Sequence, residues 1–199
     1  MVDREKSVSV IGLGYIGLPT AALLASKGYM VKGMDINEHA VETINKGEIH
    51  IVEPDLDAYV RSAVSNGKLK AYSEVQAGDI YIICVSTPFH ADSKLPKPNV
   101  DYVIQAVQSI SPHVKGGDIV ILESTSPVGT TEMVRDVLQK SGVDTSAIFI
   151  AYCPERVLPG KIMTELVDNA RVIGGVNMQS TKGIAAFYRT FVNGEILEG

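Results

Sequence analysis

Residues 7–35 constrain the fold more strongly than any other stretch of the chain. They read as an apolar strand, a glycine pattern that opens a helix, and a second apolar strand. The pattern GxGxxG is formed by Gly12, Gly14 and Gly17. In this pattern the first glycine permits the tight turn, the second lets a pyrophosphate approach the backbone, and the third lets helix and strand pack closely. The stretch therefore predicts a dinucleotide site.

Asp35 ends the second of these strands, where a carboxylate meets the ribose hydroxyls of a bound dinucleotide. Because a carboxylate there repels the 2′-phosphate of NADP, we predict NAD as the cofactor. The backbone of Tyr15 and Ile16 stands at the helix start, where free N–H groups favour the pyrophosphate. The alternatives are helix capping for Asp35 and simple packing for the side chains of Tyr15 and Ile16.

Strands and helices alternate along the whole chain, and apolar runs such as Asp79–Val85 indicate strands buried on both faces. This predicts an α/β fold in which residues 1–199 form one Rossmann-type domain, a doubly wound parallel sheet with helices on both faces. The predicted strands are Ser7–Gly12, Met30–Asp35, Asp79–Val85, Asp118–Leu122, Ala147–Ala151 and Arg171–Gly174, with another beginning in Gly194–Gly199. The predicted helices are Tyr15–Lys27, a helix capped by Asn37 that runs to Lys46, Asp55–Ser65, Val100–Ser111, Gly129–Lys140, Lys161–Val167 and Met178–Val192, and Ser86–Pro98 is a polar loop.

The composition excludes several classes of function. A net charge of −5 without a basic run argues against nucleic acid as a partner. No apolar run has the length of a membrane span, and we find no signal peptide, so we expect a cytoplasmic protein. Cys84 and Cys153 fit neither a disulfide framework nor a metal motif, and the 4 histidines show no metal-ligand spacing, so we predict no metal.

Polar side chains follow the predicted strands at the edge where doubly wound sheets bind ligands. Thr87 and Thr125 each follow a buried strand, and Glu155 and Arg156 lie in the loop after the next one. We therefore expect them to converge on one site. The alternatives are ordinary Ser/Thr turns for the two threonines, and a salt bridge to Arg156 or a solvated charge for Glu155.

Five segments resemble the UDP-glucose/GDP-mannose dehydrogenase family of nucleotide-sugar 6-dehydrogenases. They are GLGYIGLPTA at 12–21, INKGEIHIVEPDLDAYV at 44–60, VSTPF at 85–89, LESTSPVGTTE at 122–132 and AYCPERVLPG at 151–160. The last two are most similar to members that act on UDP-N-acetyl-D-mannosamine. The resemblance implies oxidation of C6 of a UDP-sugar to a carboxylate with two NAD+, in surface polysaccharide biosynthesis. Alternatives are UDP-N-acetylglucosamine or UDP-glucose as substrate, or a non-catalytic NAD-binding module.

The resemblance also implies roles for individual residues. Thr87 and Thr125 line the NAD site, with Thr125 near the reacting centre. Glu155 matches the glutamate linked to the water that hydrolyses a thioester intermediate. Arg156 and Val157 match positions that touch the sugar nucleotide. Complete members pair through a long helix between their halves, which implies a homodimer or a higher homo-oligomer.

The family's nucleophilic cysteine and catalytic lysine lie in segments without a counterpart in these 199 residues. We therefore expect this chain to correspond to the N-terminal, NAD-binding part and to be inactive alone. Cys84 is not expected to replace the nucleophile, because a cysteine inside an apolar strand is inert. Cys153 lies in a candidate active-site loop, but no helix N-terminus or histidine is evident near it to activate the thiol, so it is not expected to replace the nucleophile either. Lys161 and Arg171 are interpreted as surface charges without an assigned role.

Overall fold

The computed structural model describes residues 5–90 and 97–199, so residues 91–96 of the predicted loop Ser86–Pro98 lie outside the described residues. The strands are β1 Ser7–Ile11, β2 Met30–Met34, β3 Leu69–Tyr72, β4 Ile80–Ile83, β5 Ile119–Leu122, β6 Phe149–Tyr152, β7 Arg171–Gly175 and β8 Ile196–Glu198. The helices are α1 Gly17–Ser26, α2 Glu38–Asn45, α3 Leu56–Ser65, α4 Asp101–Ile110, α5 Thr130–Lys140, α6 Ile162–Asp168 and α7 Met178–Tyr188. In these ranges, no helix combines the length and apolar character needed to cross a membrane.

The strands form one sheet in the order β3-β2-β1-β4-β5-β6-β7-β8. All neighbouring pairs are parallel except β6 and β7, which are antiparallel. The chain runs outward from β1 to β3 and then returns to the other side of β1 with β4. The order therefore reverses between β1 and β4, and such a reversal leaves a crevice at the carboxyl ends of the two strands.

Both faces of the sheet are buried under helices of this chain. Along β4, Ile80 and Ile82 enter one hydrophobic core, and Tyr81 and Ile83 enter the other. The first core contains residues of α1, α2, α3, α6 and α7, and the second contains residues of α4 and α5. Successive strand residues point to opposite faces, so a strand buried on both sides needs a continuous apolar run. This explains the sequence of β4.

The predicted fold class is confirmed, with two differences. The strand β3, with the sequence Leu-Lys-Ala-Tyr, was not predicted. Within the predicted parallel sheet, β7 is the exception, because it pairs with β6 in the antiparallel sense. The connection between them therefore stays at the carboxyl edge of β6 instead of crossing the sheet. Helix α7 ends at Tyr188, four positions before the predicted Val192, and the other ends differ by smaller amounts.

A buried glutamate fixes the loop before α3 to the start of α6. Glu53 is only 4% exposed. Its carboxylate accepts hydrogen bonds of 2.8 Å from the backbone N–H groups of Gly160 and Ile162. Backbone donors at a helix start have no partner within the helix. Glu53 therefore satisfies two backbone donors around the first residue of α6, of which the one at Ile162 is buried.

We expect Glu53→Ala to lower the free energy of unfolding by about 3 kcal/mol, because it leaves two donors without an acceptor. Glu53→Gln retains one acceptor oxygen, so its effect should be about half as large. Urea unfolding followed by circular dichroism measures both. Glu74→Ala, at an exposed position, serves as the control. An equal effect at both positions would show that the two hydrogen bonds contribute nothing.

Candidate functional site

A cleft of about 630 Å³ opens at the carboxyl ends of β1, β2 and β4. It lies at the point where the strand order reverses, which is the position at which doubly wound sheets bind ligands. On the sheet side it is lined by Gly12, Gly14, Asp35, Cys84, Val85 and Pro88, among others. On the opposite side Tyr102, Gln105 and Ser109 of α4 line it. The cleft has the size of a small-molecule site.

The three glycines of the pattern serve different purposes. Gly12 has φ +91°, and a Cβ there would lie 2.8 Å from the carbonyl oxygen of Cys84. A Cβ on Gly17 would lie 1.7 Å from the carbonyl oxygen of Gly12. Gly14 differs, because a Cβ there would meet nothing within 4 Å. The fold itself thus requires Gly12 and Gly17, whereas Gly14 leaves backbone open to the cleft for a ligand.

The start of α1 is suited to an anion. Its N-cap residue, Ile16, makes no side-chain capping bond, and the first turn contains no acidic residue. Tyr15 precedes it and is 52% exposed. A helix N-terminus without a capping side chain offers N–H groups and a positive dipole end to a phosphate. The backbone at Tyr15 and Ile16 lies at this uncapped helix start, and its contact with a pyrophosphate stays a prediction.

Asp35 connects the glycine loop to the end of β2. Its Oδ2 accepts a hydrogen bond of 2.8 Å from the N–H of Leu13, and its Oδ1 accepts one of 2.9 Å from the N–H of Asn37. The cap of α2 is Asn37, as predicted, so Asp35 is not a helix cap. A carboxylate has about four acceptor positions. Asp35 lines the cleft with acceptor capacity left for ribose hydroxyls.

The two predicted threonines come together at the ends of β4 and β5. The hydroxyl of Thr87 donates a hydrogen bond of 2.7 Å to the backbone carbonyl of Thr125. This bond joins two different loops, unlike the contact within one turn that was the alternative for each threonine. Thr125 itself is exposed, so its side chain is accessible at the carboxyl edge of the sheet.

The loop after β6 places Glu155, Arg156 and Val157 at the same edge. The carboxylate of Glu155 accepts a hydrogen bond of 3.0 Å from the N–H of Val157, so it turns back onto its own loop. Arg156 is exposed, and its backbone carbonyl accepts a hydrogen bond from the side-chain amide of Asn169. The loop is thus held through its backbone, which leaves the Arg156 guanidinium facing solvent.

Arg171 corrects the sequence interpretation, which placed it among the surface charges. Arg171 and Glu123 are each only 1% exposed and form an ion pair of 3.4 Å. Glu123 Oε2 also accepts a hydrogen bond of 3.3 Å from the Cys84 thiol and one of 3.4 Å from the Thr20 hydroxyl. Burial raises the pKa of the Glu123 carboxyl, and the Arg171 guanidinium opposes that shift.

Neither cysteine is suited to act as a nucleophile. Burial raises the pKa of Cys153 to about 12. Burial and the neighbouring Glu123 raise the pKa of Cys84 well above its ordinary value. The thiolate is the reactive form of cysteine, so both side chains are inert at neutral pH. This agrees with the expectation that they do not replace the family's nucleophile.

Sequence reasoning missed the wall of the cleft that α4 provides. Tyr102, Gln105 and Ser109 follow one another at helical spacing and share one face of α4. The opposite face carries Val103, Val107 and Ile110, which enter the core. A polar face on the helix that follows the long loop after β4 is the signal that would have identified them.

Comparisons with known proteins agree with this geometry. Residues 6–192 match the NAD binding domain of the UDP-glucose/GDP-mannose dehydrogenase family. The UDP-N-acetyl-D-mannosamine dehydrogenase of Yersinia pestis is 51% identical over 199 residues, covering 96% of this chain and 47% of that relative. The NDP-N-acetyl-D-galactosaminuronic acid dehydrogenase of Ralstonia nicotianae is 49% identical over 201 residues, with coverage of 96% and 47%.

Among solved structures, the UDP-N-acetyl-mannosamine dehydrogenase Cap5O from Staphylococcus aureus superposes with a TM-score of 0.90 at 40% identity, covering 96% of this chain and 47% of that one. This chain therefore spans about half the length of the relatives that it matches. The match over residues 6–192 agrees with the glycine loop, the reversal of strand order and the cleft. The chain belongs to the UDP-glucose/GDP-mannose dehydrogenase family and comprises its NAD binding domain.

Proposed function

We propose that residues 1–199 form the NAD-binding domain of an enzyme that oxidises UDP-N-acetyl-D-mannosamine at C6 to the carboxylate. The observation that carries this proposal is the cleft at the strand reversal, with the open Gly14 and the carboxylate of Asp35 on its wall. The relative from Yersinia pestis, at 51% identity, supports the choice of sugar. Surface polysaccharide biosynthesis is the pathway that such a product would serve.

Different residues of the cleft would bind different parts of the cofactor. The backbone from Gly12 to Gly17, including Gly14, Tyr15 and Ile16, would hold the pyrophosphate at the start of α1. Asp35 would accept hydrogen bonds from the adenosine ribose. Thr87 and Thr125, already joined to each other, would lie beside the nicotinamide end. When bound there, NAD supplies the hydride acceptor.

The loop after β6 would face the sugar nucleotide. Arg156 presents a planar guanidinium, which suits a phosphate or a carboxylate product. Val157 lies next to it, and the carboxylate of Glu155 accepts a hydrogen bond from the Val157 N–H. Glu155 would turn from that bond to position water, which is general-base work suited to a half-buried carboxylate. Thr125 would lie near the reacting carbon.

Asp35 makes cofactor choice testable. We expect the chain to bind NAD and to bind NADP at least about tenfold more weakly, because the carboxylate repels the 2′-phosphate. Asp35→Asn removes the charge and should narrow this difference. Calorimetric titration with both cofactors measures this difference, and Asp57→Asn, at an exposed side chain of α3, is the control. NADP binding equal to or tighter than NAD binding by the unmodified chain would contradict the assignment.

Turnover tests the catalytic part of the proposal. We expect these 199 residues not to oxidise UDP-N-acetyl-D-mannosamine to the carboxylate with two NADH per sugar, because the thiols of Cys84 and Cys153 stay protonated and are unsuited to bind the intermediate aldehyde. Absorbance at 340 nm measures this. Release of two NADH per sugar by this chain alone would contradict this expectation and show that Cys84 or Cys153 suffices.

The choice of sugar is tested with the complete protein encoded by the reading frame that contains this chain. A continuation that carries the family's catalytic lysine and nucleophilic cysteine would favour the enzyme over a non-catalytic NAD-binding module. The panel should hold UDP-N-acetylmannosamine, UDP-N-acetylglucosamine, UDP-glucose and a galactosamine-based nucleotide sugar, since the Ralstonia relative is 49% identical. We expect the largest kcat/KM with UDP-N-acetylmannosamine.

A further inference from the structure

The buried ion pair between Glu123 and Arg171 lies between the cleft and the loop after β6. On the side of the cleft, Glu123 accepts hydrogen bonds from Cys84, which lines the cleft, and from Thr20 in the first turn of α1. A Cβ on Gly17 would lie only 3.1 Å from the Cβ of Cys84. The carboxylate is therefore directly behind the helix start that faces the cleft.

On the other side, Arg171 holds backbone that surrounds the predicted substrate loop. Its Nη1 donates to the carbonyl oxygen of Pro154 at 3.5 Å, and its Nη2 donates to that of Leu166 at 3.4 Å. Its guanidinium carbon lies 5.7 Å from the centre of the Tyr188 ring. Pro154 immediately precedes Glu155. The buried guanidinium of Arg171 thus contacts Glu123, behind the glycine loop, and the backbone of Pro154, at the start of the loop after β6.

An ionised carboxylate behind α1 would oppose the binding of an anion at the start of that helix. Inside a protein, charges are screened weakly, so this repulsion extends over several ångströms. A helix start that binds pyrophosphate therefore requires that the charge on Glu123 be balanced. In the described chain Arg171 is the cation in contact with Glu123, at 3.4 Å.

We propose that Arg171 is a positioning residue for the dinucleotide site, which neutralises Glu123 behind α1 and fixes the backbone before Glu155. The inference rests on the proposed NAD binding and adds to it a dependence on a residue outside the cleft. Without Arg171, Glu123 can balance its charge only by taking up a proton, since a buried carboxylate without a counter-ion favours its neutral form. Affinity for NAD should then depend on pH.

Several titratable groups face Glu123 from the surrounding elements. They are Arg171 on β7, Cys84 after β4, Cys153 and Glu155 after β6, and Tyr188 on α7. The pKa values of both cysteines and of Tyr188 are raised by burial, so these groups stay neutral below about pH 8.5. Of the two carboxylates, Glu123 is the one in contact with Arg171, at 3.4 Å, so between about pH 5.5 and 8.5 it is the group whose charge Arg171→Met chiefly releases.

The experiment measures dissociation constants for NAD and for adenosine between pH 5.5 and 8.5. The variants are Arg171→Met, Arg171→Lys, Glu123→Gln and the double variant Glu123→Gln/Arg171→Met. In Arg171→Met we expect the NAD dissociation constant to rise by about tenfold across this range, as one uncompensated charge appears. Binding of adenosine, which carries no phosphate, should stay unchanged. The double variant and Arg171→Lys should bind NAD within about threefold of the unmodified chain at every pH.

Arg189→Met, which breaks an exposed ion pair with Glu198, is the matched control and should change neither constant. If Arg171→Met weakens NAD and adenosine equally, or if the double variant is as weak as Arg171→Met, the residue has only a structural role and the inference is wrong. Should Arg171→Met fail to fold, Glu123→Gln decides, because removal of the negative charge must leave NAD binding as tight or tighter.

The unmodified chain is measured first, which separates the two proposals. Failure to bind NAD would overturn the proposed function and this inference together. NAD binding that is unaffected by pH in Arg171→Met would overturn this inference alone. Thermal unfolding of each variant at pH 5.5 and 8.5 gives the accompanying change in stability. The stability of Arg171→Met should fall as pH rises, since protonation of Glu123 stabilises its folded state at the lower pH.

Discussion

Alanine at position 17 should destabilise the chain by about 4 kcal/mol, enough to lower its melting temperature by about 12 °C. The added Cβ would lie 1.7 Å from the carbonyl oxygen of Gly12 and 3.1 Å from the Cβ of Cys84. The first of these contacts is with backbone, so no side-chain rotation relieves it. Either the start of α1 or the turn after β1 must move, and both support the cleft.

Thermal unfolding of Gly17→Ala, followed by circular dichroism, measures this effect. Gly174→Ala is the matched control, because Gly174 lies in β7 without a positive φ, and a Cβ added there would meet nothing within 4 Å. The control should unfold within about 2 °C of the unmodified chain. Equal melting temperatures for the two variants would contradict the close packing of α1 on the turn.

Alanine at position 14 should have the opposite pattern: a normal fold and a loss of NAD affinity of about a hundredfold, or about 2.7 kcal/mol. A Cβ added at Gly14 would meet no protein atom within 4 Å, so the folded chain should tolerate the alanine. Gly14 lines the cleft, so this open space belongs to the cleft. A methyl group there would occupy the position where a pyrophosphate approaches the backbone.

Calorimetric titration of Gly14→Ala with NAD tests this, and the melting temperature verifies the fold. Gly174→Ala again serves as the control and should bind NAD normally. NAD binding by Gly14→Ala with the affinity of the unmodified chain would show that the cofactor does not approach the backbone at this glycine. Together, positions 14 and 17 separate the requirement of the ligand from the requirement of the fold.

The parts of the site that the sequence predicted depend on residues close in the chain. The glycine pattern, the cap at Asn37 and Asp35 at the end of β2 are local features with known geometry. Thr87 and Thr125 were placed correctly at the carboxyl edge because buried strands are recognised by their apolar runs. Their hydrogen bond to each other, at 2.7 Å, depends on β4 and β5 being neighbours.

The parts that the sequence did not predict depend on distant partners. The four residues of β3 carry no distinctive apolar pattern, and they form a strand because β2 presents an edge to them. The direction of β7 depends on its pairing with β6, which no local pattern reveals. Arg171 reads as a surface charge because its partner, Glu123, stands 48 positions earlier in the chain. A buried ion pair is recognised only when both of its members are located.

The two hydrogen bonds of Asp35 have a consequence for attempts to engineer cofactor preference. The usual route toward NADP is to exchange the acid at the end of β2 for a neutral or basic residue. In this chain that exchange would also remove at least one of the two acceptors for the N–H groups of Leu13 and Asn37, which hold the glycine loop and the start of α2. A redesigned domain would therefore need a new acceptor for these groups. Cofactor preference and loop rigidity cannot be altered independently at this position.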